Sequence, residues 1–184
     1  MIDKEVNDFD AFVKRQRAEA GGSNGHDWAK ERDEWLGYLN HLYKVTESFL
    51  DEYIKKGDIT VEYRKIDLNE ENIGTYKADQ MILGIGRQAI TLTPVGTLLI
   101  GTKGRVDIVG GAGRTRLILA DSKSSGPRIK VAISMAGKSA PPAPESGPQE
   151  IDWVWKIATS PPSVRYIELT RESLFQALME VANG

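Results

Sequence analysis

Basic side chains recur at alternate positions in the middle of this chain. Eight lysines and arginines but only two acidic residues fall between positions 101 and 138. Because alternate residues of a β-strand point to the same face of a sheet, these cations pair up on single faces of three predicted strands. The pairs are Lys103 with Arg105, Arg114 with Arg116, and Arg128 with Lys130. If the strands are neighbours, the pairs form one anion-binding patch whose arginines would contact phosphate in a bidentate manner.

The basic segment, 103–138, has a second explanation. Lysine and arginine on solvent-facing strands keep a sheet soluble, and some of these cations could pair with acidic helices. No aromatic residue lies between the cations, so stacking of single-stranded bases is not predicted. A phosphate ligand or a nucleic-acid backbone is the more natural anion. The formal net charge of −2 gives the whole molecule no attraction to nucleic acid.

Two short segments match phosphate-binding motifs only in part. Residues 84–89, Gly-Ile-Gly-Arg-Gln-Ala, fit a loose dinucleotide fingerprint, but strand-like residues and Pro94 follow where the fingerprint needs a helix. Residues 137–139, Gly-Lys-Ser, resemble the end of a P-loop, but Ala132 stands where that motif requires glycine. We therefore predict no cofactor.

Few residues of this chain could act as nucleophiles, bases or metal ligands. It has no cysteine, which excludes disulfides and thiolate chemistry. Its two histidines, His26 and His41, belong to no nucleophile-elbow or metal-binding motif, and His41 is expected to be solvated or partly packed. We predict no catalytic residue and no metal site. An enzyme whose carboxylates are dispersed in the sequence and meet only in the fold stays open as an alternative.

Four tryptophans could serve either a core or an interface. Trp28 and Trp35 lie on one predicted helix, and Trp153 and Trp155 lie on one face of a predicted strand. Large aromatic side chains dominate the energetics of protein cores, so core packing is the prediction. An exposed pair would instead indicate an interface.

The apolar pattern predicts three helices. The clearest spans 27–57, where apolar and aromatic residues form a wide stripe with a heptad spacing. Asp27 is placed to cap its start, and Gly57 is suited to the left-handed conformation that ends a helix. A shorter amphipathic helix is predicted at 3–19, and a last one at 170–183 behind the capping residue Thr170.

Between the helices the period changes from helical to alternating. Predicted strands lie at 59–63, 81–85, 88–93, 97–101, 105–109, 115–121, 128–134, 151–157 and 164–168. Short glycine turns between many of them favour an antiparallel meander. The predicted class is α+β, with a bent, mostly antiparallel sheet of seven to nine strands, half-barrel or barrel-like, and a C-terminal helix packed on it.

These elements predict two units. Residues 1–57 form a helical segment that packs on the sheet, and residues 58–184 form an antiparallel β domain with a flexible loop at 136–149. No membrane span and no targeting signal is visible, so a cytoplasmic protein is expected. We predict a non-enzymatic domain that binds another protein or a second copy of itself. Binding of a nucleotide or nucleic-acid backbone by segment 103–138 is the alternative.

Overall fold

The computed structural model describes residues 27–97, 102–127 and 151–183. The elements, in chain order, are α1 (Trp28–Lys56), β1 (Ile59–Glu70), β2 (Gly74–Ile85), β3 (Gln88–Gly96), β4 (Gly104–Val109), β5 (Arg114–Asp121), β6 (Trp153–Ala158), β7 (Tyr166–Glu168) and α2 (Arg171–Asn183). The predicted helix at 3–19, the predicted strand at 128–134 and the predicted loop at 136–149 lie outside the described residues.

The seven strands form one antiparallel sheet in the order β1 to β7. Each strand pairs with its neighbours in sequence. Short turns join β1 to β2, β2 to β3 and β4 to β5, as antiparallel pairing allows. The predicted α+β class, with one helix before the sheet and one after it, is confirmed. The sheet is open, because β1 and β7 are its two ends and do not pair with each other.

The first hairpin is longer than the sequence predicts. β1 and β2 have 12 residues each, and the predicted strands at 59–63 and 81–85 are only one end of this hairpin. The buried positions of β1 change phase along the strand, from Ile59 at its start to Leu68 and Glu70 at its end. Charged residues fill the interval, so no continuous alternation is visible. The strand predicted at 97–101 is not found at Thr97, which follows the end of β3.

Helix α1 begins and ends as the sequence predicts. The Asp27 carboxylate accepts a hydrogen bond from the Lys30 amide at 3.0 Å, and Gly57 takes a left-handed conformation with φ of 79°. One face of the helix packs on the sheet, through Trp35, Leu39, Leu42, Tyr43, Thr46 and Leu50. This face covers the apolar side of the sheet, which includes Val106 of β4 and Leu119 of β5.

The closest approach of α1 to the sheet is at Trp35 and Gly104. A Cβ atom on Gly104 would lie 2.2 Å from the Trp35 ring, so only glycine leaves room for the indole. Trp35 is fully buried and its ring centroid lies 5.9 Å from that of Trp155 on β6. The two tryptophans therefore fix the distance between α1 and the centre of the sheet.

Helix α2 covers the same apolar side of the sheet beside α1. Its buried face contains Leu174, Ala177, Leu178 and Val181. The Val181 carbonyl accepts a hydrogen bond from the Ala112 amide at 2.8 Å, which ties the helix to the β4–β5 turn. The opposite side of the sheet carries polar residues and one small apolar cluster of Ile118, Ala120 and Ala158.

We expect Gly104→Ala to lower the free energy of unfolding by about 1–3 kcal/mol, because the added methyl group overlaps the packed ring of Trp35. Urea denaturation measures this change. The matched control is Gly37→Ala in α1, where a Cβ atom would meet nothing within 4 Å. That substitution should raise the free energy of unfolding by about 0.5–1 kcal/mol, because alanine favours a helix interior. Equal effects of the two substitutions would contradict the packing described here.

Candidate functional site

The predicted anion-binding residues lie in different surroundings. Arg105 donates from Nε and from a terminal nitrogen to the two carboxylate oxygens of Asp107, at 2.6 and 2.7 Å. Its positive charge is thus neutralised by a nearly buried carboxylate on the same strand. This pair lies on the side of the sheet away from the helices, because Val106 and Ile108 alternate with it and face the core.

Arg114 and Arg116 share that outer side of the sheet. The strand register places Arg116 opposite Asp107 and Arg114 opposite Val109. Arg114 is exposed and Arg116 is half-buried. Within the described ranges, neither guanidinium forms a hydrogen bond or ion pair. Arg128 and Lys130 lie outside the described residues, so their place in the patch remains a prediction.

Lys103 is engaged on the other side of the sheet, against α1. Its ammonium nitrogen lies 2.6 Å from a carboxylate oxygen of Glu34. The same nitrogen lies 5.5 Å from the centroid of the Tyr38 ring and 5.8 Å from that of the Trp153 ring. Lys103 precedes the first residue of β4, so the alternation of the strand does not fix the direction of its side chain. The structure separates it from Arg105.

A groove runs beside Lys103, between α1 and β6. We call it the α1–β6 groove; its volume is about 870 Å³ and it is lined by Glu34, Gly37, Tyr38, His41, Leu42, Val45, Trp153, Val154, Trp155, Glu168 and Leu169. Apolar and aromatic side chains form most of its surface. Sequence analysis missed it, although Tyr38, His41 and Val45 follow helical spacing beside the buried stripe of α1.

A smaller cavity adjoins this groove at the start of α1. We call it the N-terminal pocket; its volume is about 510 Å³ and it is lined by Asp27, Lys30, Glu31, Glu34, Thr102, Lys103 and Trp153. Glu34 and Trp153 line both cavities, so the two lie side by side. Together they contain four carboxylates, of Asp27, Glu31, Glu34 and Glu168, against the ammonium groups of Lys30 and Lys103. The combined surface is therefore acidic.

A third cavity, of about 580 Å³, lies between α1 and the β1–β2 hairpin. Most of its polar groups are bonded within the protein. The Tyr63 hydroxyl donates to Glu47 at 2.7 Å, and Lys65 pairs with Asp79 at 2.8 Å. The Tyr43 hydroxyl donates to the Asp79 carbonyl at 2.6 Å, and burial raises the pKa of this phenol. These contacts attach the hairpin to α1 and leave little polar capacity for a ligand.

The four tryptophans divide between core and surface. Trp35 and Trp155 are in the core, as predicted. The Trp155 indole donates to the Tyr38 carbonyl at 3.0 Å and so holds α1 against β6. Trp153 is half-buried and forms a wall of the α1–β6 groove, while Trp28 is half-buried near the start of α1. Trp153 thereby becomes an interface residue candidate.

The described residues give little support for catalysis. No group of three histidine, aspartate or glutamate side chains within residues 27–97, 102–127 and 151–183 could hold a metal ion. His41 is exposed. Lys103 lowers the pKa of Glu34, and the backbone at the start of α2 lowers that of Glu172. A general acid working near neutral pH needs a pKa shifted in the opposite direction. The hypothesis of a dispersed carboxylate enzyme stays untested.

Comparisons of the chain with protein-family models, with curated proteins and with solved structures found no match. Neither of the two helices in the described ranges combines the length with the apolar character that crossing a membrane requires.

We expect the pKa of Glu34 to rise toward its ordinary value in Lys103→Ala, because the variant lacks the ammonium group that stabilises the carboxylate. The folded-state pKa is the lower one, so this ion pair stabilises the fold above the ordinary pKa of glutamate. The contribution is lost as the pH falls through the lowered pKa of Glu34. An NMR titration of the Glu34 carboxyl group measures the shift. Identical titration curves in the two proteins would show that the ion pair does not form.

Proposed function

We propose that this chain is a non-catalytic binding domain that holds a cationic, partly apolar peptide segment of another protein in the α1–β6 groove. The observation that carries the proposal is the combination, in two adjoining cavities, of an apolar and aromatic floor with an acidic rim. Apolar surface supplies affinity for a peptide, and charge complementarity selects its sign.

The floor of the groove suits apolar side chains. Leu42 and Trp155 are buried at its base, and Val45 and Leu169 are half-buried at its sides. A volume of about 870 Å³ lies within the range of roughly 300–1,000 Å³ that is usual for ligand sites. Aromatic residues such as Tyr38 and Trp153 are also the types that concentrate binding energy at interfaces.

The rim of the groove selects the charge of the partner. Glu34 on α1 and Glu168 on β7 are both exposed and both line the groove. The N-terminal pocket extends this acidic character through Asp27 and Glu31. A basic peptide would meet favourable potential along both cavities. Two copies of this chain that paired groove to groove would instead bring like charges together.

The peptide would be held by side-chain contacts and would not add a strand to the sheet. The outer edge of β7 is short and already bonded: the Tyr166 amide donates to the Ser125 carbonyl at 3.0 Å, and the Ser173 hydroxyl donates to the Glu168 carbonyl at 2.8 Å. Strand addition needs a row of free backbone groups. The groove beside β7 is therefore the docking surface.

A second candidate function is anion binding on the outer side of the sheet. Fewer cations are available for this function than the sequence predicts, because Lys103 pairs with Glu34 and Arg105 pairs with Asp107. Arg114 and Arg116 remain as neighbouring guanidinium groups on one face of β5, with no ion pair within the described ranges. They are the residues on which this alternative now depends.

The groove proposal predicts which peptides bind. Selection from a phage library of random twelve-residue peptides should enrich lysine or arginine together with leucine or aromatic residues. In fluorescence anisotropy, Val45→Ser should lower the affinity for the enriched peptide about tenfold, because the apolar contact of the valine side chain with the peptide is lost. Glu168→Gln should lower this affinity about two- to fivefold, because it removes a negative charge from the rim of the groove.

The matched control for the rim charge is Glu62→Gln, which removes the same charge from an exposed position of β1 outside the described cavities. It should leave the affinity unchanged. The proposal is wrong if no peptide is enriched, or if the enriched peptides bind equally to the wild type and to both groove variants. Enrichment of acidic peptides would likewise overturn it.

The alternative makes a separate prediction for the two arginines on β5. If the outer side of the sheet binds anions, the double variant Arg114→Glu, Arg116→Glu should abolish retention on heparin and leave the thermal unfolding midpoint nearly unchanged, because Arg114 is exposed and Arg116 half-buried. Lys55→Glu, Lys56→Glu, at the end of α1, is the control with an equal charge change. Equal retention of wild type and the β5 variant would remove the alternative.

A further inference from the structure

We infer that Glu34, Tyr38 and Trp153 form a socket for one lysine or arginine side chain of the bound peptide, and that Lys103 closes this socket as an intramolecular competitor. The inference rests on the proposed function, since it names the partner side chain and the regulation of the same groove. It would make Lys103 a gate between the α1–β6 groove and the N-terminal pocket.

The socket combines the three features that bind an organic cation. Glu34 supplies a carboxylate oxygen 2.6 Å from the Lys103 ammonium nitrogen. Tyr38 and Trp153 supply ring faces at 5.5 and 5.8 Å from that nitrogen, within the distance of about 6 Å at which cation–π attraction is significant. A carboxylate alone would be an ordinary surface charge, whereas two rings beside it make the position specific for a cation.

The position of the socket explains why a peptide would reach it. Glu34 and Trp153 line both the α1–β6 groove and the N-terminal pocket, so the cation lies where the two cavities meet. A peptide with apolar side chains in the groove would carry its next basic side chain to this junction. The wild-type protein already has its own cation there, so its apparent affinity is the intrinsic affinity multiplied by the fraction of time that the socket is open.

Lys103 is held firmly enough to compete and weakly enough to be displaced. Only 17 % of its side chain is exposed, and the backbone amide of Lys103 donates to the Leu119 carbonyl at 2.7 Å. Cation–π contacts of this kind change the ratio of closed to open socket by about two- to thirtyfold at 25 °C. A displaced Lys103 side chain would remain in the N-terminal pocket, near Asp27 and Glu31.

Lys30 provides a natural comparison. It approaches the other carboxylate oxygen of Glu34 at 4.0 Å, but 72 % of its side chain is exposed. No aromatic ring faces its ammonium group in the described residues. Removing Lys30 therefore deletes a positive charge near Glu34 without opening the socket, which makes Lys30→Ala the control for Lys103→Ala.

The first arm of the test uses a small cation in place of a peptide. n-Propylammonium, which matches the part of lysine beyond Cβ, is added to Lys103→Ala while the Trp153 indole and Tyr38 ring signals are followed by NMR. We expect saturable shifts in Lys103→Ala, with half-saturation at about three- to tenfold lower n-propylammonium concentration than in the wild type or Lys30→Ala. Neutral n-propanol should produce no saturable shift. The inference is overturned if n-propylammonium leaves Trp153 and Tyr38 unchanged in Lys103→Ala.

The second arm measures the competition itself. A library-selected basic peptide should bind Lys103→Ala about three- to tenfold more tightly than the wild type, because the socket is always open. The same peptide with norleucine at its key lysine should bind both proteins equally. Lys103→Gln, which has a slightly shorter and uncharged side chain, replaces Lys103→Ala in the second arm if the alanine variant does not fold.

The two proposals fail in different ways. If the peptide binds the wild type and Lys103→Ala equally, and n-propylammonium has no effect, the groove function stands and the socket is wrong. If no peptide binds either protein but n-propylammonium shifts Trp153 in Lys103→Ala, the socket stands and the groove function is wrong.

Discussion

The contact between Trp35 and Gly104 sets the position of α1 on the sheet. The indole needs the space that a glycine leaves, and Trp155 on β6 packs against the same ring at a centroid distance of 5.9 Å. The Trp155 indole also donates to the backbone of Tyr38. With α1 held in this way, its residues Glu34 and Tyr38 come to face Trp153, and the α1–β6 groove has a fixed width.

The same contact divides the basic segment into two sides. Glu34 precedes Trp35 in the chain and Lys103 precedes Gly104, so the close approach of the tryptophan and glycine brings a carboxylate and an ammonium group together. Arg105, on the far side of Gly104, points away from the helices and pairs with Asp107. Lys103 and Arg105, which are close in the sequence, therefore lie on different surfaces. Lys103 lines the N-terminal pocket, and Arg105 belongs to the polar outer side of the sheet.

Much of the fold could be predicted from the sequence because its causes are local. The stripe of α1, its Asp27 cap and its Gly57 end follow from residues within a few positions of one another. The far half of the β1–β2 hairpin could not be predicted in this way. Its stability comes partly from pairs across the strands, such as Lys65 with Asp79, and the charged residues that form these pairs hide the alternation.

The sequence by itself determined the α+β class, the helix that precedes the sheet and the concentration of positive charge between residues 101 and 138. Only the tertiary structure decided which partner each charge meets. Lys103 and Glu34 are 69 residues apart, and nothing in the local pattern of either segment indicates their ion pair. Periodicity fixes the face on which a side chain lies, whereas its neighbours depend on strand register and on how the helix packs, which are properties of the whole fold.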